Sequence, residues 1–163
     1  MTQPHPHGIV CRTFRPGDEE DFRRLNEDWI CKFFDALEPH DREMLDDPHR
    51  HILAPGGQIF IAEDDGAVVG TCALIPVAPG EFELAKMTVA EQARGSGTGR
   101  KLLRFAISVA RQMGARRLSL ESNTKAAAAV HLYEQAGFRH RPAQPSPYQR
   151  ANVFMELLLD PPA

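Results

Sequence analysis

The chain has no apolar run approaching the roughly 18 to 20 residues that a membrane span requires, and residues 1–8 lack the basic flank and apolar stretch of a secretory leader. A cytoplasmic protein with no membrane partner is therefore the expectation. Cysteine is scarce. Cys11, Cys31 and Cys72 are odd in number, widely spaced and form no CxxC pair, so neither a disulfide framework nor a zinc knuckle is indicated. The histidines His5, His7, His40, His49, His51, His131 and His140 show no metal-ligand spacing on a supporting element, and no metal is assigned. Internal repeats, coiled-coil heptads and low-complexity segments are absent. A dominating charge of one sign is missing too: 19 Lys and Arg stand against 22 Asp and Glu, for a net charge of -3. That balance argues against a nucleic-acid partner.

What is present suits one globular domain over residues 1–163, with 42% hydrophobic and 25% charged residues and hence enough apolar material for a core. The charge is unevenly spread. Residues 18–47 carry 12 acidic and 4 basic side chains, whereas residues 94–150 carry 11 basic and 2 acidic ones. Such a division suggests two regions that face different partners, although charge-rich helices are more often solvated faces.

Periodicity and turn chemistry give a mixed α/β order. Residues 9–14 read as a strand. A helix follows from an Asp18 cap, with Phe22, Leu25, Trp29, Ile30 and Phe33 at helical spacing. Residues 38–53, bracketed by prolines, predict one short helix within a longer connection, a candidate lid. Residues 58–63 and 67–77 form a hairpin across Asp64-Asp65-Gly66, and residues 81–89 add a third antiparallel strand. In the next helix Leu102, Leu103, Phe105, Ala106, Val109, Ala110 and Met113 make one apolar stripe ended by Gly114. A strand over 116–121, parallel to the preceding one, a helix over 125–136 stopped by Gly137, and a last hairpin around Pro142, Pro145 and Pro147 complete the order. The expected architecture is a mixed, twisted sheet flanked by helices.

The informative stretch is Arg94-Gly95-Ser96-Gly97-Thr98-Gly99-Arg100-Lys101, between a strand and the start of a helix. Glycines allow close backbone approach, and the unpaired N–H groups of a helix start point outward with the positive end of its dipole. Three cations at that end are unfavourable for the helix alone, a conflict that a bound polyphosphate relieves. The competing reading is a flexible turn with exposed basic residues. A nucleotide-hydrolysing P-loop is disfavoured because Lys101 is followed by Leu102, and a dinucleotide fingerprint because Arg100 stands where its third glycine belongs.

Arg94-x-x-Gly97-x-Gly99 resembles the (Gln/Arg)-x-x-Gly-x-(Gly/Ala) pyrophosphate loop of the GCN5-related N-acetyltransferase (GNAT) superfamily, and Leu132-Tyr133-Glu134-Gln135-Ala136-Gly137-Phe138 resembles the ending of that superfamily's penultimate helix. Residues 83–87 and 120–125 are similar to a bacterial, small-molecule-type subgroup, so the resemblance covers nearly the whole chain. It implies a single-domain GNAT-type acyl-CoA N-acyltransferase fold with acetyl-CoA as co-substrate and no metal. Carried over by position, the backbone around Met87 and Val89 pairs with the pantetheine arm. Arg94, Gly95, Gly97, Thr98, Gly99 and Arg100 hold the pyrophosphate, and Asn123 bonds near the pantetheine. A splayed gap between the two parallel strands admits the cofactor. The asparagine that many members carry near the start of the penultimate helix is Ala126 here.

The resemblance makes Tyr133 the acid that protonates the leaving thiolate and Glu83 the base, with Glu81 and Glu121 in reserve. Ordinary helix packing is the competing reading for Tyr133. For Glu83 it is an exposed strand glutamate paired with Lys86 or another cation. A backbone N–H near Met87 would polarise the acetyl carbonyl. Trp29, Phe33, Tyr148 and Arg150 are candidate walls of the acceptor site; the apolar stripe favours a core role for Trp29 and Phe33, while Arg150 suits a substrate carboxylate. The acidic 18–47 segment would then steer a cationic amine. The implied function is direct transfer of an acetyl group to a primary amine of a small molecule, amino-acid-like or aliphatic. Alternatives are a non-catalytic CoA-binding sensor or assembly subunit, and a protein or peptide N-acetyltransferase. A homodimer is compatible with the sequence, which fixes no interface.

Overall fold

The computed structural model describes residues 8–160; His5 and His7 lie outside the described residues. One sheet of seven strands runs in the order β1 (Ile9–Thr13), β2 (Gln58–Asp64), β3 (Ala67–Ala78), β4 (Glu81–Val89), β5 (Arg117–Ser122), β7 (Val153–Leu158) and β6 (Arg139–His140). Among the described residues only the β4–β5 pair is parallel and the other pairs are antiparallel, which makes the expected mixed sheet. The β2–β3 hairpin turns where Asp65 and Gly66 take positive φ values of 54° and 82°, the twist that a two-residue hairpin loop demands.

Helices cover both faces. On one, α1 (Glu19–Phe33) and α2 (Pro39–Asp46) bury Phe22, Met44 and Leu45 against Ile59, Ile61 and Ala73. On the other, α3 (Thr98–Gln112) and α4 (Ala127–Gln135) pack Leu102, Leu103, Ala106 and Tyr133 against Phe60, Ala62 and Leu74. Alternate residues of β2 thus enter opposite cores, the period-two rule applied to a strand covered on both sides. The α3 stripe also includes buried Ile107, whereas Met113 is left 37% exposed near the helix end.

Three expectations need correction. Asp18 stands at the α1 cap position, yet its carboxylate makes no cap bond; it accepts instead from the Arg15 N–H and pairs with Arg12 at 2.7 Å. The 38–53 segment is two helical pieces, α2 and a single π-helical turn over His49–Leu53. Nor does α2 hang free as a lid: Asp41 within it is wholly buried and ion-paired to the sheet and to the 148–151 region.

Two irregularities in β4 create the cleft. Parallel pairing with β5 covers only Glu81, Phe82 and Glu83, so the two strands diverge beyond Glu83. Between the Thr71–Thr88 and Ala73–Ala85 pairs, one β3 residue opposes two of β4, which is a β-bulge. At this bulge Lys86 has φ 53°, a left-handed conformation that costs a non-glycine residue about 1 to 2 kcal/mol. The bulge turns the Lys86 ammonium toward α2, where Asp41 receives it.

Candidate active site

The splayed end of the β4–β5 pair opens a cavity of about 480 Å³. Its walls include Trp29 and Phe33 from α1, Met87 and Val89 from β4, the Arg94–Arg100 loop, and the Lys125–Leu132 stretch. In the loop, Gly95 and Gly97 take φ values of 80° and 84°, and a side chain begun at either would enter open space. α3 therefore starts from Gly97 with no side-chain cap, leaving its first N–H groups facing the cavity. An uncapped helix start, open glycine backbone, and Arg94 and Arg100 at the rim fit a pyrophosphate.

Neighbouring loop side chains have other work. Thr98 is 1% exposed, with its hydroxyl 2.7 Å from Ser96 Oγ, so it shapes the turn and offers the ligand its backbone. Arg94 Nε donates to the Val89 carbonyl at 3.4 Å, and Arg100 donates to Gln135 at 3.1 Å. Gly99 allows α3 to approach Leu132, whose Cδ2 lies 3.2 Å from where a Cβ would stand. Asn123 donates to the Arg150 carbonyl and accepts from the Lys125 N–H, fixing the loop after β5. Ala126, in place of the expected asparagine, is small and lines both this cavity and a second one.

The second chamber, about 90 Å³, adjoins the first along Trp29, Met87, Ala126 and Ala129. Glu83, Glu121, Tyr133, Tyr148, Lys86 and Arg150 line it. Burial pushes the Glu83 carboxyl up to about 7 from an ordinary 4.5, the Glu121 charge adds to this, and Lys86 opposes it. Tyr133, 6% exposed and edge-on to Phe138, is raised by burial and so keeps its phenolic proton. Cys72 close by is likewise raised by complete burial, which leaves an inert thiol.

Glu83 and Tyr133 both line this chamber. Glu121 belongs there too and accepts from Ser146 at 2.6 Å, while Glu81 pairs with Arg117 at the far end of the strand. Trp29 and Phe33 are half-buried cavity walls instead of core residues. Much of the acidic 18–47 segment pairs locally: Asp18 with Arg12, Asp21 with Arg24, and Glu19 with His49. Its members that bond to chamber residues are Glu38 and Asp41.

Sequence reasoning missed a buried ion cluster. Asp41 accepts from Lys86 Nζ at 2.6 Å and from both terminal nitrogens of Arg150 at 2.6 Å. Burial raises the Asp41 carboxyl, but the Arg150 hydrogen bonds and the Lys86 charge outweigh it and hold the group at about 2. Burial pulls the Lys86 ammonium down against the opposing pull of Asp41. The Tyr148 hydroxyl accepts from Lys86 at 3.1 Å, and the Arg150 guanidinium lies 4.4 Å from the same ring centroid. The proline bracket around α2 was the one available signal that this acidic helix is anchored.

Among the described residues no group of three or more His, Cys, Asp or Glu is placed to hold a metal ion, and no helix is long and apolar enough to cross a membrane. The chain is 35% identical to the uncharacterized N-acetyltransferase YjgM of Escherichia coli (strain K12) over 99 residues, a match spanning 59% of each chain. It therefore spans less than two-thirds of that relative. The fold is that of an acetyltransferase of the GNAT family from Staphylococcus aureus Mu50, with a TM-score of 0.84 at 23% identity over 94% of this chain and 100% of that one. A Salmonella typhimurium structure, yncA, a putative acetyltransferase with its cofactor acetyl-CoA, superposes with a TM-score of 0.74 at 19% identity over 96% of each chain. The Acetyltransferase (GNAT) family signature matches residues 22–138, from α1 to the end of the Leu132–Phe138 motif, and the chain belongs to that family.

Proposed function

We propose that this chain, acting as a single domain, transfers the acetyl group of acetyl-CoA directly to a primary amine of a small molecule. One observation carries the reading: a cavity suited to a phosphate-bearing cofactor opens, past Trp29 and Met87, onto a small chamber that holds both a tunable carboxylate and a protonated phenol.

Bound acetyl-CoA supplies an activated thioester, whose C–S bond breaks as the acceptor nitrogen forms its C–N bond to the acetyl carbon. The backbone of the Arg94–Arg100 loop and the α3 start would hold the pyrophosphate, and the unpaired edge of β4 at Met87 and Val89 the pantetheine arm. Glu83 takes a proton from the acceptor ammonium, directly or through water, which frees the nitrogen lone pair. Tyr133 gives its phenolic proton to the departing sulfur and regains one, directly or through water, from the nitrogen as it becomes the neutral amide. Divergence of their environments assigns the two roles: a carboxyl raised to about 7 is ionised in useful amount near neutrality, whereas a phenol raised by burial is not. The inert Cys72 offers no thiolate to carry the acetyl group, which supports transfer within a ternary complex.

The pH dependence tests the base. Only ionised Glu83 accepts the proton, so kcat/KM should rise about tenfold between pH 6 and pH 8 and level off above a midpoint near 7. Glu83→Gln should lower the rate and flatten this limb. A wild-type limb retained in the variant would assign the base elsewhere. Linkage gives a second check through stability. Because the folded carboxyl titrates above its unfolded value, its stabilising contribution is complete below about 4.5 and lost as pH rises through about 7. Glu83→Gln should therefore gain stability relative to wild type at pH 8 and not at pH 4.

A further inference from the structure

The acceptor chamber holds the chain's own carboxylates at the place where an amino-acid substrate would put one. Arg150 is the side chain suited to gripping a substrate carboxylate, yet its fork is already closed. Nη1 and Nη2 donate in parallel to Asp41 Oδ2 and Oδ1, each at 2.6 Å, and Nη1 also lies 3.1 Å from Glu38 Oε2. This bidentate geometry is the strongest an arginine and a carboxylate make. Asp41 is equally committed. Oδ1 receives Lys86 Nζ as well, and Oδ2 receives the Glu38 N–H at 2.9 Å, so its acceptor sites are filled. Glu38 in turn is tied to the 148–151 region through the Gln149 N–H at 2.7 Å. The cluster is buried: Asp41 is 0% and the Lys86 side chain 4% exposed.

The chamber's charges point the same way. Lys86 and Arg150 are both answered within the cluster by Asp41 and Glu38. Glu83 and Glu121 line the chamber, and among the described residues no cation is bonded to either. An entering ammonium meets carboxylates; an entering carboxylate meets like charge and a cation already taken.

Resting on the amine acetylation proposed above, we infer that the acceptor is a compact amine with no carboxylate beside its ammonium group, and that Asp41 and Glu38 are specificity-determining residues that exclude α-amino acids. To take over the Nη1–Nη2 fork of Arg150, a substrate carboxylate must displace Asp41 and strip that buried carboxylate of its guanidinium partner. An amine lacking that group binds with the cluster intact.

Matched pairs that differ only by the α-carboxylate test this: putrescine against ornithine, cadaverine against lysine, and phenethylamine against phenylalanine. The full chain is assayed with acetyl-CoA for thiol release, and binding of each pair is measured by calorimetry in the presence of CoA. Every pair that is used should favour the decarboxylated member by at least about tenfold in kcat/KM and in affinity, a preference worth about 1.4 kcal/mol. Because Asp41 variants risk misfolding, the chosen variant is Glu38→Gln, which loosens the hold on Arg150 and leaves the Asp41 pairs in place. It should shrink the preference at least about threefold. Amino acids used equally well or better would overturn the inference while leaving acetylation standing, and an unchanged ratio in Glu38→Gln would remove Glu38 from it. Neither turnover nor binding of any amine would overturn both.

Discussion

Replacing Gly97 by glutamate is expected to abolish the stabilisation that acetyl-CoA gives this protein. A ligand at one hundred times its Kd stabilises the folded state by about 2.7 kcal/mol, and in a domain of this size each kcal/mol moves the Tm by about 2 to 4 °C. Wild type should therefore melt roughly 5 to 11 °C higher with the cofactor. Gly97 sits at φ 84° with open space where a Cβ would point. A glutamate there suffers left-handed strain of about 1 to 2 kcal/mol and sends a carboxylate into the region proposed for the pyrophosphate. The variant should melt a few degrees lower when free and show no shift with acetyl-CoA. Gly97→Ala separates the two effects. It carries the strain without the charge or the reach, so its own Tm should fall while most of the ligand-induced shift survives. A full shift in Gly97→Glu would remove the loop from the cofactor site.

Tyr133→Phe should reduce kcat by about a hundredfold or more, the usual contribution of a positioned general acid, with acetyl-CoA affinity changed less than about threefold. The side chain is fixed by its place on α4 and by the edge-on contact with Phe138, and the phenylalanine ring can keep both. What the variant lacks is the phenolic proton proposed for the departing sulfur. The signature is a fall in kcat with little change in KM for the cofactor, since the missing bond matters as the C–S bond breaks. An unchanged kcat across the pH range would return Tyr133 to the packing role that its 6% exposure also suits.

The motifs that hold those two residues were legible as motifs because each is local. The glycine loop and the tyrosine motif each lie within about eight residues of chain, and the turn at Asp64-Asp65-Gly66 declares itself through the φ values that it demands. The ion cluster was not legible. Asp41 stands in an acidic run that reads as a solvated surface, and it becomes a buried anchor only through Lys86, 45 residues away, and Arg150, 109 residues away. Nothing in the pattern around Lys86 announces the bulge that aims it: a lysine within a strand-like run gives no sign of a φ of 53°. Trp29 and Phe33 misled in another way. Their helical spacing matches the apolar stripe, but the strands beneath them diverge, so this part of the helix covers a cavity instead of a packed sheet.

The same correction changes the electrostatic picture. Twelve acids between residues 18 and 47 suggested a broad steering field, yet Asp18 and Asp21 are paired with Arg12 and Arg24, and Glu19 is bonded to His49. The charge that bears on the chamber is concentrated in Glu38, Asp41, Glu83 and Glu121, of which the last two lie outside that segment. If these few placed carboxylates set the chamber's preference, as inferred above, it should respond to single substitutions more than to ionic strength.

The most direct test of the account is to incubate the full chain with acetyl-CoA and a panel of small primary amines, following free thiol and the masses of the products together. The account predicts one equivalent of N-acetylated amine for each equivalent of CoA released, with initial rates that depend on both substrates in the intersecting pattern of a ternary complex. Tight acetyl-CoA binding with no thiol release for any amine would contradict it.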